Sequence, residues 1–157
     1  MRHGESTANA QNFLSGWQDV PLTSKGRSEA VALQHTLDKA LSKIEIDLAK
    51  TPRVQLLSSD LQRAVETGTL ATRGSLIHQD QRFRERCFGL HQGNPKNRLK
   101  ESGVMEDVVS WVCNDPQIES FQQLAERVFP AMDEYTSNAM VDVNILFAHG
   151  GVIRMIL

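Results

Sequence analysis

The sequence predicts an α/β fold, a three-layer α/β/α sandwich around a mostly parallel central sheet. Short apolar runs of strand length, at 54–58 and 141–148, alternate with amphipathic stretches of helical length. Such alternation joins parallel strands through crossover helices. The chemically suggestive residues follow directly after the apolar runs, at the carboxyl ends of strands, where ligands collect in sheets of this kind.

The elements follow in order. From Thr23 to about Leu41, the residues Ala30, Leu33, Leu37, Ala40 and Leu41 recur at steps of three and four, with Pro21 just ahead and Thr23 placed as an N-cap, which predicts an amphipathic helix. Val54 to Ser58 is short and apolar, follows Pro52, and reads as a buried strand running into Ser59-Asp60. Those two residues can cap a second helix with Leu61, Ala64, Val65 and Leu70 facing inward and an end near Gly74. A short strand is expected at Leu76-Ile77. The stretch 79–100 is rich in Arg, Gly, Asn and Gln without periodicity and reads as a long functional loop rather than a core element. Ser120 opens a Ser-Phe-Gln-Gln capping box, and Leu124, Val128, Ala131, Met132 and Tyr135 continue it as a third helix to about Asn138. Val141 to Ala148 is a buried strand, and His149-Gly150-Gly151 turns the chain into another helix. No internal repeat or linker interrupts the pattern, so residues 1–157 are expected to form one domain.

Composition narrows the function classes. A chain of 157 residues with 40% apolar content can fill one core, and a formal charge of −2 provides no global basic field for nucleic acid or an anionic membrane. No apolar stretch approaches the ~20 residues that span a bilayer. Met1 is followed by Arg2, His3, Gly4 and Glu5 rather than by an apolar run, which points to the cytoplasm. Cys87 and Cys113 stand far apart, without zinc-finger spacing, and are expected to be reduced thiols.

Four short motifs carry the chemistry. Arg2-His3-Gly4-Glu5-Ser6 opens the chain, Ser58-Ser59-Asp60-Leu61-Gln62-Arg63-Ala64 follows the first strand, Arg84-Glu85-Arg86-Cys87-Phe88-Gly89 lies in the unpatterned stretch, and Ala148-His149-Gly150-Gly151 follows the last strand. Each alone is a weak signal, but four in this order are specific. In order, spacing and context the chain resembles the histidine phosphatase superfamily, in its phosphoglycerate-mutase-like branch, along almost its whole length.

The resemblance implies phosphoryl transfer through a phosphohistidine on His3. A neutral imidazole is a competent nucleophile near pH 7, because its ordinary pKa is about 6.5. A phosphoryl group in flight spreads charge over three oxygens, and Arg2 and Arg63 offer planar guanidinium forks that suit it. The resemblance makes His149 a donor opposite the nucleophile and Glu85 the acid that protonates the leaving oxygen and then activates water. It assigns Asn9 to the phosphate or to the orientation of His3. Ser15, Gly16, Arg86, Lys96 and Gly150 are assigned to the substrate. Gly4 and Gly150 allow close backbone approach. No cofactor is implied, and a metal held by His3, His149 and Glu85 is disfavoured because Arg2 and Arg63 would repel a cation. Glu5 is expected to be structural. His35 within the first helix, and His78 and His91 as exposed residues, are expected to be uninvolved. Arg53, Arg73, Arg82, Arg84 and Arg98 are read as solvated, with those in the stretch 79–100 also able to reach an acidic substrate.

Hydrolysis and mutase chemistry both fit this site. Arg2 through Asp19, with Asn12, Gly16, Trp17 and Asp19, resembles the cofactor-dependent mutases, as does Lys96. After Trp111, however, the Arg pair of those mutases is replaced by Val112 and Cys113, and the covering segment is reduced to 114–118. Fewer cations and a shorter cover favour water attack. The reading is therefore hydrolysis of a small phosphorylated metabolite, with a mutase, or a phosphate-binding module without catalysis, as alternatives. Only Met1 precedes Arg2, and the chain stops at Leu157, so the expectation is a segment lacking the superfamily's usual first strand and C-terminal elements. Oligomeric state is not legible.

Overall fold

The structure is a computed structural model that describes residues 1–46, 53–111 and 113–157; Pro52 and Val112 lie outside the described residues. Ser6 caps a short α1 (Thr7–Ala10) through a capping box with Asn9. Thr23 accepts the N–H of Gly26 and starts α2 (Ser24–Ser42) at the expected residue. Of its apolar stripe, Ala30, Leu37 and Leu41 are buried, but Ala40, roughly 100° round the helix from Leu41, is exposed.

The first strand, β1 (Val54–Ser58), has the predicted bounds, and α3 (Gln62–Ala71) follows it. Arg63, Ala64, Thr67, Gly68 and Ala71 face inward, while Val65 and Leu70, expected there, are half-buried. The small residues decide this: a Cβ on Gly68 would lie 2.9 Å from the Phe147 ring, so α3 packs by its glycine face. The next strand, β2 (His78–Gln79), lies two residues beyond the expected Leu76-Ile77, and Leu76 is 95% exposed. Its place is fixed by pairing, Leu57 with His78 and Ser58 with Gln79, rather than by apolar content.

The stretch 79–100 is more ordered than its sequence suggests. It contains 3-10 turns at Gln81–Phe83 and Gly89–His91 and the start of α4 (Lys96–Glu101). Phe83 is fully buried against Leu57, Leu124 and Val128, so this segment contributes to the core. The remaining elements are α5 (Val104–Val109), α6 (Phe121–Thr136), β3 (Val143–Phe147) and α7 (Gly150–Ile156). The Ser120–Gln123 capping box starts α6 as expected.

The three strands form a parallel sheet in the order β2-β1-β3. Leu56 pairs with Ile145 and Leu57 with Leu146. Alternation then sends Leu56, Ile145 and Phe147 to one face, under Leu37, Leu41 and Ala71 of α2 and α3. Leu57 and Leu146 point to the other, against α6 and Val152 of α7. Helices thus cover both faces, as parallel sheets require. Among the described residues no helix is long and apolar enough to cross a membrane.

Candidate active site

The sheet's carboxyl edge gathers the motifs. Residues 1–3 run beside the end of β3: the Met1 ammonium donates to the Leu146 carbonyl, Ala148 N–H to Met1 O (2.8 Å) and His3 N–H to Ala148 O (3.0 Å). His3 is thereby set next to His149, the N-cap of α7, with ring centroids 5.1 Å apart. Gly4 donates its N–H to Thr67 Oγ1 of α3 (3.0 Å). A Cβ on Gly4 would lie 2.4 Å from the Gly26 carbonyl, so only glycine fits this crossing of α2.

The His3 tautomer follows from its partner. Nδ1 lies 2.7 Å from the Gly4 carbonyl, which can only accept, so Nδ1 carries the hydrogen and Nε2 keeps its lone pair. Burial lowers the His3 pKa to about 4; the Gly4 bond works against this, and the charges of Arg63 and Arg2 work with it. His149 is fully buried and pushed well below its ordinary value, first by burial and then by Arg63 and its other cationic neighbours. Both rings are neutral near pH 7. Neither His149 nitrogen has a hydrogen-bond partner among the described residues, nor does the buried Nε of Arg63.

Arg63 is 1% exposed, and its Nη1 and Nη2 donate to the carbonyls of Gln18 (2.9 Å) and Gly16 (2.7 Å). Burial pushes its pKa down to about 10, countered by Glu85 and Asp19, so it remains a cation at neutral pH. The turn that holds it is fastened to α3, because Asp19 Oδ1 accepts the Gln62 N–H at 2.8 Å. Asp19 therefore caps α3 in place of the expected Asp60, which instead holds Arg84 (Nε–Oδ1 2.8 Å). Ser59 Oγ contributes a longer bond from Leu61 N–H, 3.3 Å.

The Glu85 carboxylate accepts the N–H of Gly151 (2.9 Å to Oε1, 3.2 Å to Oε2) and that of Arg86 (2.9 Å). Its carbonyl accepts from Trp17 Nε1 (2.6 Å) and Arg127 Nη2 (2.9 Å). Sequence reasoning missed these two donors, because a bond to a backbone carbonyl leaves no mark in the residue pattern.

The other predicted residues scatter more widely. Arg2 is exposed, although its charge reaches both histidines. Asn9 Oδ1 accepts from Ser6 N (3.1 Å) and Ser6 Oγ (2.9 Å). Ser15 is half-buried and accepts the Gln18 N–H, and Gly16 holds a φ of +52° beside Gln92. Arg86 is buried, with Nε on the Glu119 carbonyl (2.8 Å), Nη1 on that of Val108 (2.7 Å) and Nη2 unpartnered among the described residues. Lys96 begins α4, its N–H on the Asn12 carbonyl (2.9 Å), and Gly150 begins α7 beside Glu85.

Glu5 is bound by Lys25 (3.0 Å) and Thr23 (2.8 Å), in keeping with a structural role. His35 lies within α2 as expected, on its exposed side, and His78 is exposed as expected, but His91 is half-buried, with Nε2 2.7 Å from Asp115. The arginines read as solvated are partly committed: Arg53 pairs with Asp142, Arg73 with Asp38, Arg82 with Asp80 and Glu134, and Arg84 with Asp60. Cys87 and Cys113 are free thiols, the latter donating to the carbonyl of Asp115 (3.4 Å). Among the described residues no group of three or more His, Cys, Asp or Glu could hold a metal ion.

The profile of the histidine phosphatase superfamily (branch 1) matches residues 1–157. The 2,3-bisphosphoglycerate-dependent phosphoglycerate mutase of Staphylococcus haemolyticus is 29% identical over 99% of this chain and 80% of its own length. In structure, a mycobacterial glucosyl-3-phosphoglycerate phosphatase complexed with VO3 superposes with a TM-score of 0.81 at 26% identity, over 98% of this chain and 76% of that one. A phosphoglycerate mutase from Thermus thermophilus gives a TM-score of 0.69 at 31% identity, over 99% of this chain and 79% of that one.

Proposed function

The chain belongs to the histidine phosphatase superfamily, and from that premise we propose that it hydrolyses a small phosphomonoester through a phosphohistidine on His3. His3 Nε2 attacks phosphorus as the ester P–O bond breaks, and the acid form of Glu85 gives its proton to the leaving oxygen. Water then attacks the phosphorus, losing its proton to the Glu85 carboxylate, as the P–Nε2 bond breaks to return the lone pair to His3 and release inorganic phosphate. Arg63 Nε, an N–H of His149 and the exposed Arg2 surround the phosphoryl oxygens. Asn9 is assigned to the phosphate or to the orientation of His3, and Ser15, Gly16, Arg86, Lys96 and Gly150 to the rest of the substrate. No metal or cofactor takes part in these steps.

The observation that carries this reading is the locked His3 tautomer beside three buried, unpartnered nitrogens, Nδ1 and Nε2 of His149 and Nε of Arg63. Buried polar groups are nearly always hydrogen-bonded, and an oxyanion against His3 can accept from Arg63 Nε–H and from the one N–H that the neutral His149 ring carries. The VO3 complex of the similar mycobacterial phosphatase supports the same ligand chemistry. Labelling with a phosphorylated donor, followed by quenching in base, tests the proposal. An acid-labile, base-stable phosphohistidine that is absent from His3→Ala supports it; labelling that persists in His3→Ala but is lost in His149→Ala reverses the two histidines.

A mutase is the second reading, favoured by the mutases among the similar proteins. Cys113, where those enzymes carry a cation in the pattern described above, argues for hydrolysis. A panel of phosphomonoesters assayed with and without 2,3-bisphosphoglycerate separates them: a dependence on the bisphosphate with little phosphate release selects the mutase. Phosphate binding without turnover of any ester selects the non-catalytic module, and undiminished turnover in excess chelator supports metal-free chemistry.

A further inference from the structure

We propose that Trp17 and Arg127 are positioning residues that fix the Glu85 carboxyl for proton transfer, and that Trp17 couples its position to that of Arg63. The inference rests on the reading of Glu85 as acid and base.

Glu85 lies between the two 3-10 turns, outside any helix or strand, so no regular backbone ladder holds it. A proton donor must nevertheless be placed within hydrogen-bond reach of the oxygen it serves. The constraint comes through its backbone: the Glu85 carbonyl has two lone pairs, which Trp17 Nε1 and Arg127 Nη2 occupy. Arg127 is itself anchored. Its Nη1 donates to the Arg82 carbonyl (2.6 Å), and its Nε and Nη2 grip the Glu119 carboxylate (2.6 and 2.9 Å). Glu119 in turn exchanges hydrogen bonds with Cys87, accepting the Cys87 N–H at its carboxylate (2.9 Å) and donating its own N–H to the Cys87 carbonyl (2.9 Å). The chain is therefore strapped down on both sides of Glu85.

Trp17 is not core filling. Cavities of about 300 Å³ and 240 Å³ flank it, one lined by Cys87, Gln117 and Gln123, the other by Gln81, Arg82 and Arg84. The indole stands between them as a partition, with the Arg84 guanidinium 5.2 Å from its ring centroid. Trp17 also sits in the turn whose carbonyls at 16 and 18 receive Arg63. A shift of that turn moves the phosphate-side cation and the proton donor together.

Trp17→Phe keeps an aromatic ring and removes the N–H, and Arg127→Lys keeps the charge and loses the fork. Each is compared with the parent protein, Glu85→Gln and the Trp17→Phe/Glu85→Gln double variant, measuring kcat and KM on an alkyl phosphate and on p-nitrophenyl phosphate, which needs little protonation. Expected for Trp17→Phe is a fall of about 10-fold in kcat on the alkyl ester and under about 2-fold on the aryl ester, with KM unchanged, as displacement of a catalytic group predicts. The double variant is expected to be no slower than Glu85→Gln, because a residue acting through Glu85 has nothing left to position. Equal losses on both esters, an unchanged alkyl kcat, or additive losses in the double variant overturn the positioning role. If Glu85→Gln itself slows both esters equally, the acid role fails and the clamp with it; if Glu85→Gln is selective and Trp17→Phe matches the parent, only the clamp fails. Should Arg127→Lys lose its fold by circular dichroism, Trp17→Phe alone decides.

Discussion

Glu85 and Gly151 meet across 66 positions of sequence, the carboxylate receiving the N–H of Gly151 at 2.9 Å, so the turn that delivers His149 also holds the candidate acid. A Cβ at position 151 would stand 2.2 Å from Glu85 Oε1. The clash is with the end of a flexible side chain, so in Gly151→Ala the carboxylate swings away at little cost in stability. We expect turnover of an alkyl phosphate to fall by about 100-fold, the scale of a misplaced catalytic group, with a near-parental melting temperature. Parental turnover in Gly151→Ala would show that this contact does not set the working position of the acid.

Glu85→Gln tests the acid directly. It should slow turnover of alkyl esters by about 10²–10⁴-fold, the usual worth of general acid–base catalysis, and aryl esters far less. A loss of the same size on both would mean that Glu85 supports the site without donating the proton.

Stability should fall in mild acid. His3 is held at about 4 in the fold against an ordinary value of 6.5, so between these values the unfolded chain binds a proton that the native chain does not. Stability is fully present above pH 6.5 and is lost as pH falls towards 4, by about 3 kcal/mol for His3 at about 1.4 kcal/mol per pKa unit. His149, shifted in the same direction, adds to the slope. Urea unfolding of the parent and of His3→Gln at pH 7 and pH 5 measures it. A pH dependence undiminished in His3→Gln would remove His3 as a source.

Phe83→Ala should cost about 3–5 kcal/mol, the range for an aromatic truncated in a packed core, since Phe83 is fully buried in the cluster beneath α6. Chemical denaturation gives the figure directly. A loss below about 1 kcal/mol would mean that the segment around Glu85 is anchored by its ion pairs and not by this ring.

Thr23, Ser120 and Gln123 made the starts of α2 and α6 legible because a helix cap is a local bond between near neighbours. The bounds of β1 were legible for a similar reason, a short apolar run closed by polar residues. The residues β2 pairs with β1, by contrast, are His78 and Gln79, both exposed, and only Leu57 and Ser58 across the sheet edge specify them. The cap of α3 came from Asp19, 43 residues away, a distance that no sequence window covers. Within the candidate site, His3, Arg63, Glu85 and His149 stood out as motifs, and the structure brings them together. Arg127 did not stand out, and Trp17 stood out only as part of the mutase-like segment, without its contact to Glu85, because the atom they hold is a main-chain oxygen common to every residue. Order in 79–100 was hidden for a related reason: a few anchors such as Phe83 and Arg86 fix it, too sparsely spaced to form a period.

The pairing of residues 1–3 with 146–148 has a consequence for the time at which the site comes into being. During synthesis the backbone acceptor that fixes His3, the Ala148 carbonyl, is made some 145 residues after it; at ~5–20 residues per second that is an interval of roughly 7–30 seconds. Through that interval α2, β1 and α3 can assemble while His3 has no seat. The setting of His3 beside His149 is thereby withheld from every nascent intermediate that lacks residues 146–148, and its formation reports closure of a long-range contact.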